Sequence, residues 1–129
     1  MDRIQKAVAN HKKGYNCAQA VLCAFADKTE FTEQELFKLS EAFGGGMGGT
    51  QGVCGAVSAM VFLAGLKNSL GTDALPNTNK AESYRFAGEL MEKFQDKNQT
   101  IICSRLKGEG IRSCDGCIED AVKILEESL

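Results

Sequence analysis

The strongest constraint on the fold is a glycine-rich segment that runs directly into the longest apolar stretch of the chain. The segment FGGGMGGTQG begins at Phe43, and six of its ten residues are glycine. The following stretch, VCGAVSAMVFLAGL, contains Cys54 as its second residue and is interrupted only by Ser58. A helix that is apolar on every side has to be buried. The sequence therefore predicts a central buried helix over residues 53–70, reached through a loop beside Cys54.

Amphipathic helix signals occupy most of the remaining chain. Asn16, Thr32 and Asn79 are predicted helix N-caps, and Thr32 starts a capping box. A last helix is expected to begin near Cys117, and residues 100–102 are a candidate short strand without an evident partner. No alternation of strands and helices is present. We expect an all-α single domain over residues 1–129, a bundle of about five or six helices around the central one.

Charge and composition exclude several classes of protein. The net charge is −2 with acids and bases interspersed, which argues against nucleic acid or an anionic membrane as a partner. The longest apolar run is shorter than the roughly 18 residues expected of a membrane span. The N-terminal residues resemble an amphipathic helix and not a signal peptide, so a cytoplasmic location is expected.

The cysteine content points to chemistry rather than to covalent cross-links. Six cysteines in 129 residues are fewer than the roughly 8–10% that marks disulfide scaffolds. A cytoplasmic compartment keeps structural thiols reduced. In such a setting a cluster of cysteines more often binds a metal or takes part in catalysis.

The cysteines fall at particular places in the predicted helices. Cys17, Cys54 and Cys117 each lie in the first turn of a predicted helix, where free backbone N–H groups favour a thiolate. Cys103 lies in a short segment before the last helix. Cys23 lies about 240° around the helix from Cys17, and we expect it to be a small buried hydrophobic residue.

Two further residues leave alternatives open. Cys114 and Cys117 have the C-x-x-C spacing of a redox or metal-ligand pair, but two cysteines at a helix start without a joint task also fit. His11, the single histidine, is expected at the C-terminal end of the first helix. A cation is favourable there, and this interpretation is preferred over a ligand role.

The glycine-rich loop has three interpretations. Its glycines could bring the backbone close to a sulfur site at Cys54, could present N–H groups to an anionic cofactor, or could simply make the chain flexible. The segment lacks the G-K-[ST] ending of a nucleotide P-loop. In the first interpretation its N–H groups lower the pKa of Cys54 and make it the most reactive thiol. The candidate cofactor-binding residues are Gly45, Gly46, Gly48, Gly49 and Gly52.

Three segments, GYNCAQAVL, FGGGMGGTQGVCGAV and CIEDAVKIL, together with the order of the cysteines, resemble the redox-active protein family named for its C_GCAxxG_C_C pattern. The likeness covers nearly the whole chain. It implies four family cysteines, with Cys23 and Cys114 as extras. One departure is Ala59, which stands where the family pattern has its second glycine. The implied family cysteines are Cys17, Cys54, Cys103 and Cys117.

Three functions follow for these four cysteines. In the first, they are catalytic in a thiol-dependent oxidoreductase that cycles between dithiol and disulfide, with a redox partner protein. In the second, the same four ligate a metal ion or an iron–sulfur cluster for electron transfer. In the third, they form a structural zinc scaffold or support a homo-oligomer. The sequence ranks them in this order and leaves the substrate and the cofactor open.

Overall fold

The computed structural model describes all residues, 1–129, and contains seven α-helices and no β-sheet. The all-α prediction is confirmed, with one or two more helices than expected. No helix combines the length and the apolar composition needed to cross a membrane. The helices are α1 (Arg3–Lys12), α2 (Cys17–Cys23), α3 (Glu33–Ser40), α4 (Gly55–Asn68), α5 (Lys80–Asn98), α6 (Cys103–Gly108) and α7 (Cys114–Ser128). Three short 3-10 turns cover Ala26–Lys28, Glu41–Phe43 and Thr72–Ala74.

Helix α4 is the centre of the bundle. It packs against α2, α5 and α7, and the six residues from Gly55 to Met60 are all buried. The prediction of a central helix is confirmed, although α4 is shorter than residues 53–70. At its start Val53 is held in an extended contact with another segment, and at its end Ser69 adopts an extended backbone.

Two of the three predicted caps form as expected. Asn16 and Thr32 each accept a hydrogen bond from the backbone N–H three residues later and complete a capping box. Asn79 is the N-cap residue of α5, as predicted, but its side chain makes no cap hydrogen bond. Its amide instead donates to the backbone oxygen of Asn68 at 2.8 Å, tying the end of α4 to the start of α5.

The segment before α6 is not a strand, but it does pair with the chain that leads into α4. A single antiparallel bridge joins Val53 to Ile102. Beside it the N–H of Cys54 donates to the oxygen of Ile101 at 2.8 Å. Since α6 begins directly after Ile102, this bridge places the start of α4 next to the start of α6.

Helix α7 begins three residues earlier than predicted. Ser113 is its N-cap and accepts a hydrogen bond from the N–H of Gly116 at 3.0 Å. The predicted start near Cys117 treated Asp115 and Gly116 as loop residues, whereas both belong to the first turn. The earlier start makes Cys114 the first residue of the helix.

The glycine-rich loop is closed by its own backbone hydrogen bonds. The N–H of Gly48 donates to Ala42 and the N–H of Gly52 to Gly46, both at 2.7 Å. Gly46 has φ +73°, and a Cβ built on it would lie 2.6 Å from the Cα of Gln51. Glycine is therefore required there both by the left-handed backbone and by the close approach of two chain segments. Simple flexibility does not account for the loop.

Replacing Gly46 with alanine should destabilise the fold, since the strained backbone alone costs about 1–3 kcal/mol and the Cβ would displace backbone atoms. The matched control is Gly88→Ala in α5, where a Cβ meets nothing within 4 Å. That change should stabilise the protein by up to ~1 kcal/mol. Chemical denaturation measures both free energies of unfolding, and equal effects of the two changes would contradict this account of the loop.

Asn16 stabilises both α2 and the segment before the glycine-rich loop. Its side chain accepts from the N–H of Gln19 at 2.9 Å and donates to the oxygen of Glu41 at 2.8 Å. Asn16→Ala should lower the free energy of unfolding by roughly 2 kcal/mol, and Asn16→Asp, which keeps only the acceptor, by about half as much. Urea denaturation tests this order, and an aspartate variant as unstable as the alanine variant would show that the cap contributes nothing.

Candidate functional site

A single cavity collects five of the six cysteines. Its internal volume is about 20 Å³, which is room for about one water molecule. The structure thus brings together all four cysteines that the sequence singled out. It adds Cys114, for which the sequence left open a joint task with Cys117. The cavity cysteines are Cys17, Cys54, Cys103, Cys114 and Cys117.

Four helix N-termini meet at this cavity. Cys17, Cys103 and Cys114 are the first residues of α2, α6 and α7, and Cys54 is the N-cap residue of α4. Cys117 follows one turn into α7. The first turn of a helix presents unpaired N–H groups and a partial positive charge. The cavity is therefore surrounded by backbone that favours thiolates.

Cys54 has the thiol that ionises most readily. The thiol of Cys117 donates a hydrogen bond to the sulfur of Cys54, and this is the largest cause that lowers the pKa of Cys54 to about 7. Burial acts in the opposite direction, while the N–H groups of Ala56 and Val57 and the charge of Lys107 lower the pKa further. Unlike Asn16 and Ser113, Cys54 makes no side-chain cap hydrogen bond. The contact with Cys117 is therefore the main cause.

Three other cavity thiols, those of Cys117, Cys17 and Cys103, have raised pKa values. The pKa of Cys117 is raised because its proton is held by the sulfur of Cys54 and because it is buried. Burial raises the pKa of Cys17, which also donates a hydrogen bond to Cys114. Burial likewise raises the pKa of Cys103, against the opposing charge of Lys107. The cavity therefore contains two sulfur pairs, Cys54 with Cys117 and Cys17 with Cys114.

Two cations and no carboxylate line the cavity. The ammonium of Lys107 donates a hydrogen bond to the sulfur of Cys114, which raises the pKa of this lysine. Arg112 is held by Asp120 at 3.1 Å and lies across Gly116. A side chain at position 116 would collide with the guanidinium. The positive charges offset any thiolate formed inside the cavity.

The predicted role of the loop glycines is only partly matched by their positions. Gly45 and Gly46 line the cavity, whereas Gly48, Gly49 and Gly52 do not. Several loop N–H groups are already paired within the loop. The lowered pKa of Cys54 comes from Cys117 and the start of α4, so the hypothesis that the loop N–H groups cause it is wrong. Whether the five glycines bind a cofactor stays a prediction.

His11 is the residue that the sequence reasoning undervalued. It does lie in the last turn of α1, as expected. Its ring Nδ1, however, lies 2.7 Å from Oδ1 of Asp115, and a ligand atom of His11 lies within 4.8 Å of the sulfurs of Cys17 and Cys114. No three of the four family cysteines bring their sulfurs this close together. Nothing in the spacing along the chain indicated this contact between the two ends of the protein.

The remaining singled-out residues lie away from the cavity. Cys23 is fully buried, and its thiol lies 3.6 Å from the oxygen of Glu33. Burial raises its pKa to about 11, which agrees with its expected role in packing. Ala59, at the position of the family glycine, is fully buried in the core and does not contact the cavity.

The family model described as "Putative redox-active protein (C_GCAxxG_C_C)" matches residues 15–128. The chain belongs to this family. The match begins after α1, so His11 lies outside it, whereas all six cysteines lie within it. No curated protein and no solved structure matches the chain.

We expect the alkylation rate of Cys54 to rise with pH through a midpoint near 7, as its thiolate forms. Cys117→Ala removes the hydrogen-bond donor and should move the midpoint upwards by a unit or more. Cys117→Ser keeps a donor and should move it less. Peptide mapping of the reduced protein after alkylation at several pH values gives the midpoint for each residue, with Cys23 as the internal reference. Identical midpoints in the two variants would contradict the role given to Cys117.

Proposed function

We propose that the protein is a thiol–disulfide oxidoreductase in which Cys54 is the attacking thiolate and Cys117 the resolving thiol. The observation that carries the proposal is the position of Cys54 and Cys117, both buried, in one cavity, where interaction with the Cys117 thiol lowers the pKa of Cys54 to about 7. A thiolate present at neutral pH beside a second thiol is the arrangement that disulfide exchange requires. The family's redox-active description supports the same chemistry.

The reaction needs a disulfide as the oxidant, either in a small molecule or in a partner protein. The Cys54 thiolate attacks one sulfur of that disulfide, forms a mixed disulfide and releases the other half as a thiolate. Cys117 then loses its proton, to the released thiolate or to solvent, and attacks the sulfur of Cys54. This breaks the mixed disulfide and releases the second half of the substrate as a thiolate. The products are a Cys54–Cys117 disulfide and two reduced thiols, so two electrons pass from the protein to the substrate. The reverse sequence reduces the protein.

The surroundings of the pair support each step. Lys107 and Arg112 stabilise the thiolate that attacks and the thiolate that leaves. A surface groove shares Gly45, Cys103 and Lys107 with the cavity. We take this groove as the route for the substrate, because Cys54 itself is only 5% exposed. Cys103 then lies between the surface groove and the reactive pair, but it is not one of the two reacting cysteines.

The proposal predicts one disulfide and one trapped intermediate. Reduced protein treated with an equimolar disulfide, such as glutathione disulfide, should form a bond between Cys54 and Cys117. In Cys117→Ser the mixed disulfide on Cys54 should accumulate, because no resolving thiol remains. Mass spectrometry of peptides from the quenched reaction identifies both species.

The matched control is Cys103→Ser, which changes a cavity cysteine outside the pair. It should leave the Cys54–Cys117 disulfide and the rate of its formation within about twofold of the unmodified protein, since its sulfur takes no part in the exchange. A mixed disulfide that accumulates on Cys103 or Cys17 in the Cys117→Ser variant would overturn the assignment of Cys54.

A further inference from the structure

The second sulfur pair of the cavity lies beside a histidine. His11 comes from the last turn of α1, Cys17 from the first turn of α2 and Cys114 from the first turn of α7. One ligand atom of each lies within 4.8 Å of the other two. His11 and Asp115, the neighbour of Cys114, are 104 positions apart in the chain and meet here. The reaction proposed for Cys54 and Cys117 uses none of the three candidate ligands.

The donor types and their separations fit one divalent cation. Zinc binds thiolates at about 2.3 Å and imidazole nitrogen at about 2.0–2.1 Å, so tetrahedral donors lie about 3.4–3.8 Å apart. The three ligand atoms therefore have to approach one another by about 1 Å to reach these distances, and rotation of the side chains can provide that movement. Two thiolates and one imidazole are a ligand set that leaves a fourth position for water or a substrate.

Asp115 supplies the outer contact that metal-bound histidines usually have. Its carboxylate lies 2.7 Å from Nδ1 of His11, which leaves Nε2 as the nitrogen free to bind an ion. A carboxylate on the opposite ring nitrogen fixes the ring and makes it a better ligand. Lys107 donates a hydrogen bond to Cys114, so the charges of Asp115 and Lys107 offset each other around a neutral Zn²⁺–dithiolate unit.

We infer that His11, Cys17 and Cys114 form a binding site for one zinc ion, separate from the reactive pair Cys54 and Cys117. The site goes beyond the proposed disulfide exchange and does not depend on it. Two of its three ligands are not among the four family cysteines, and His11 lies outside the matched residues 15–128. Because Cys17 and Cys114 both line the cavity, the open coordination position is directed to the space that also contains Cys54.

The test is metal binding by the reduced, metal-free protein under anaerobic conditions. Zn²⁺ titrated against a chromophoric chelator should bind at one ion per chain. Co²⁺ in its place should give the intense visible absorption of a four-coordinate site with thiolate ligands. His11→Ala, Cys17→Ser and Cys114→Ser should each weaken binding by at least the roughly 10–100-fold that loss of an outer contact costs, and Asp115→Asn by about 10-fold.

The controls separate this site from the redox pair. Cys54→Ser and Cys117→Ser should keep the zinc affinity of the unmodified protein within about threefold, although neither can form the proposed disulfide. His11→Cys should restore binding with added sulfur-to-cobalt absorption, which shows that loss in His11→Ala is not a folding defect. Binding that survives His11→Ala but is lost in Cys54→Ser would overturn the site, and so would the absence of zinc binding by the reduced protein.

Discussion

The burial of the first half of α4 is the constraint on which the rest of the structure depends. Gly55 to Met60 are all buried, whereas Val61 is 37% exposed. A strongly apolar helix needs several neighbours, and α2, α5 and α7 provide them. Both α2 and α7 begin at the end of the bundle where α4 begins, and the single bridge between Val53 and Ile102 adds the start of α6. The starts of α2, α4, α6 and α7 therefore lie close to one another. Their four N-termini and five cysteines surround one cavity.

The cavity gives chemically identical thiols different pKa values. Cys54 and Cys117 are both buried, yet the pKa of the first is lowered to about 7 and that of the second is raised. Burial alone would raise both. The two pKa values differ because the thiols of Cys54 and Cys117 interact, so that ionisation of one favours the protonated form of the other. The N–H groups at the start of α4 and the charge of Lys107 favour the thiolate on Cys54. The position of Cys54 at a helix start helps to lower its pKa, but the neighbouring thiol of Cys117 lowers it more.

The sequence predicted those features that depend on local patterns. The all-α fold, the central helix and the caps at Asn16 and Thr32 follow from periodicity and capping chemistry within a few residues. The four family cysteines came from resemblance, and the position of Cys17 and Cys54 at helix starts came from local signals. Cys103 was expected in a short segment, whereas it is the first residue of α6. The contact of His11 with Asp115 and the pairing of Cys17 with Cys114 depend on how whole helices pack, which no spacing in the sequence encodes. Asn79 makes no cap hydrogen bond, and its backbone (φ −120°, ψ 31°) is not the extended conformation that Asn16 and Thr32 adopt.

The low exposure of Cys54 has a kinetic consequence. Its side chain is 5% exposed, and the cavity wall in front of it includes Gly45, Gly46, Leu106 and Lys107. A reagent meets the thiolate only during the fraction of time in which this wall opens, so the observed rate is the product of that fraction and the intrinsic rate of the open form. Two reagents of equal electrophilicity but unequal size therefore react at different rates. In the proposed exchange, selectivity among disulfides would then reside in the residues of the loop and of α6 that line the cavity.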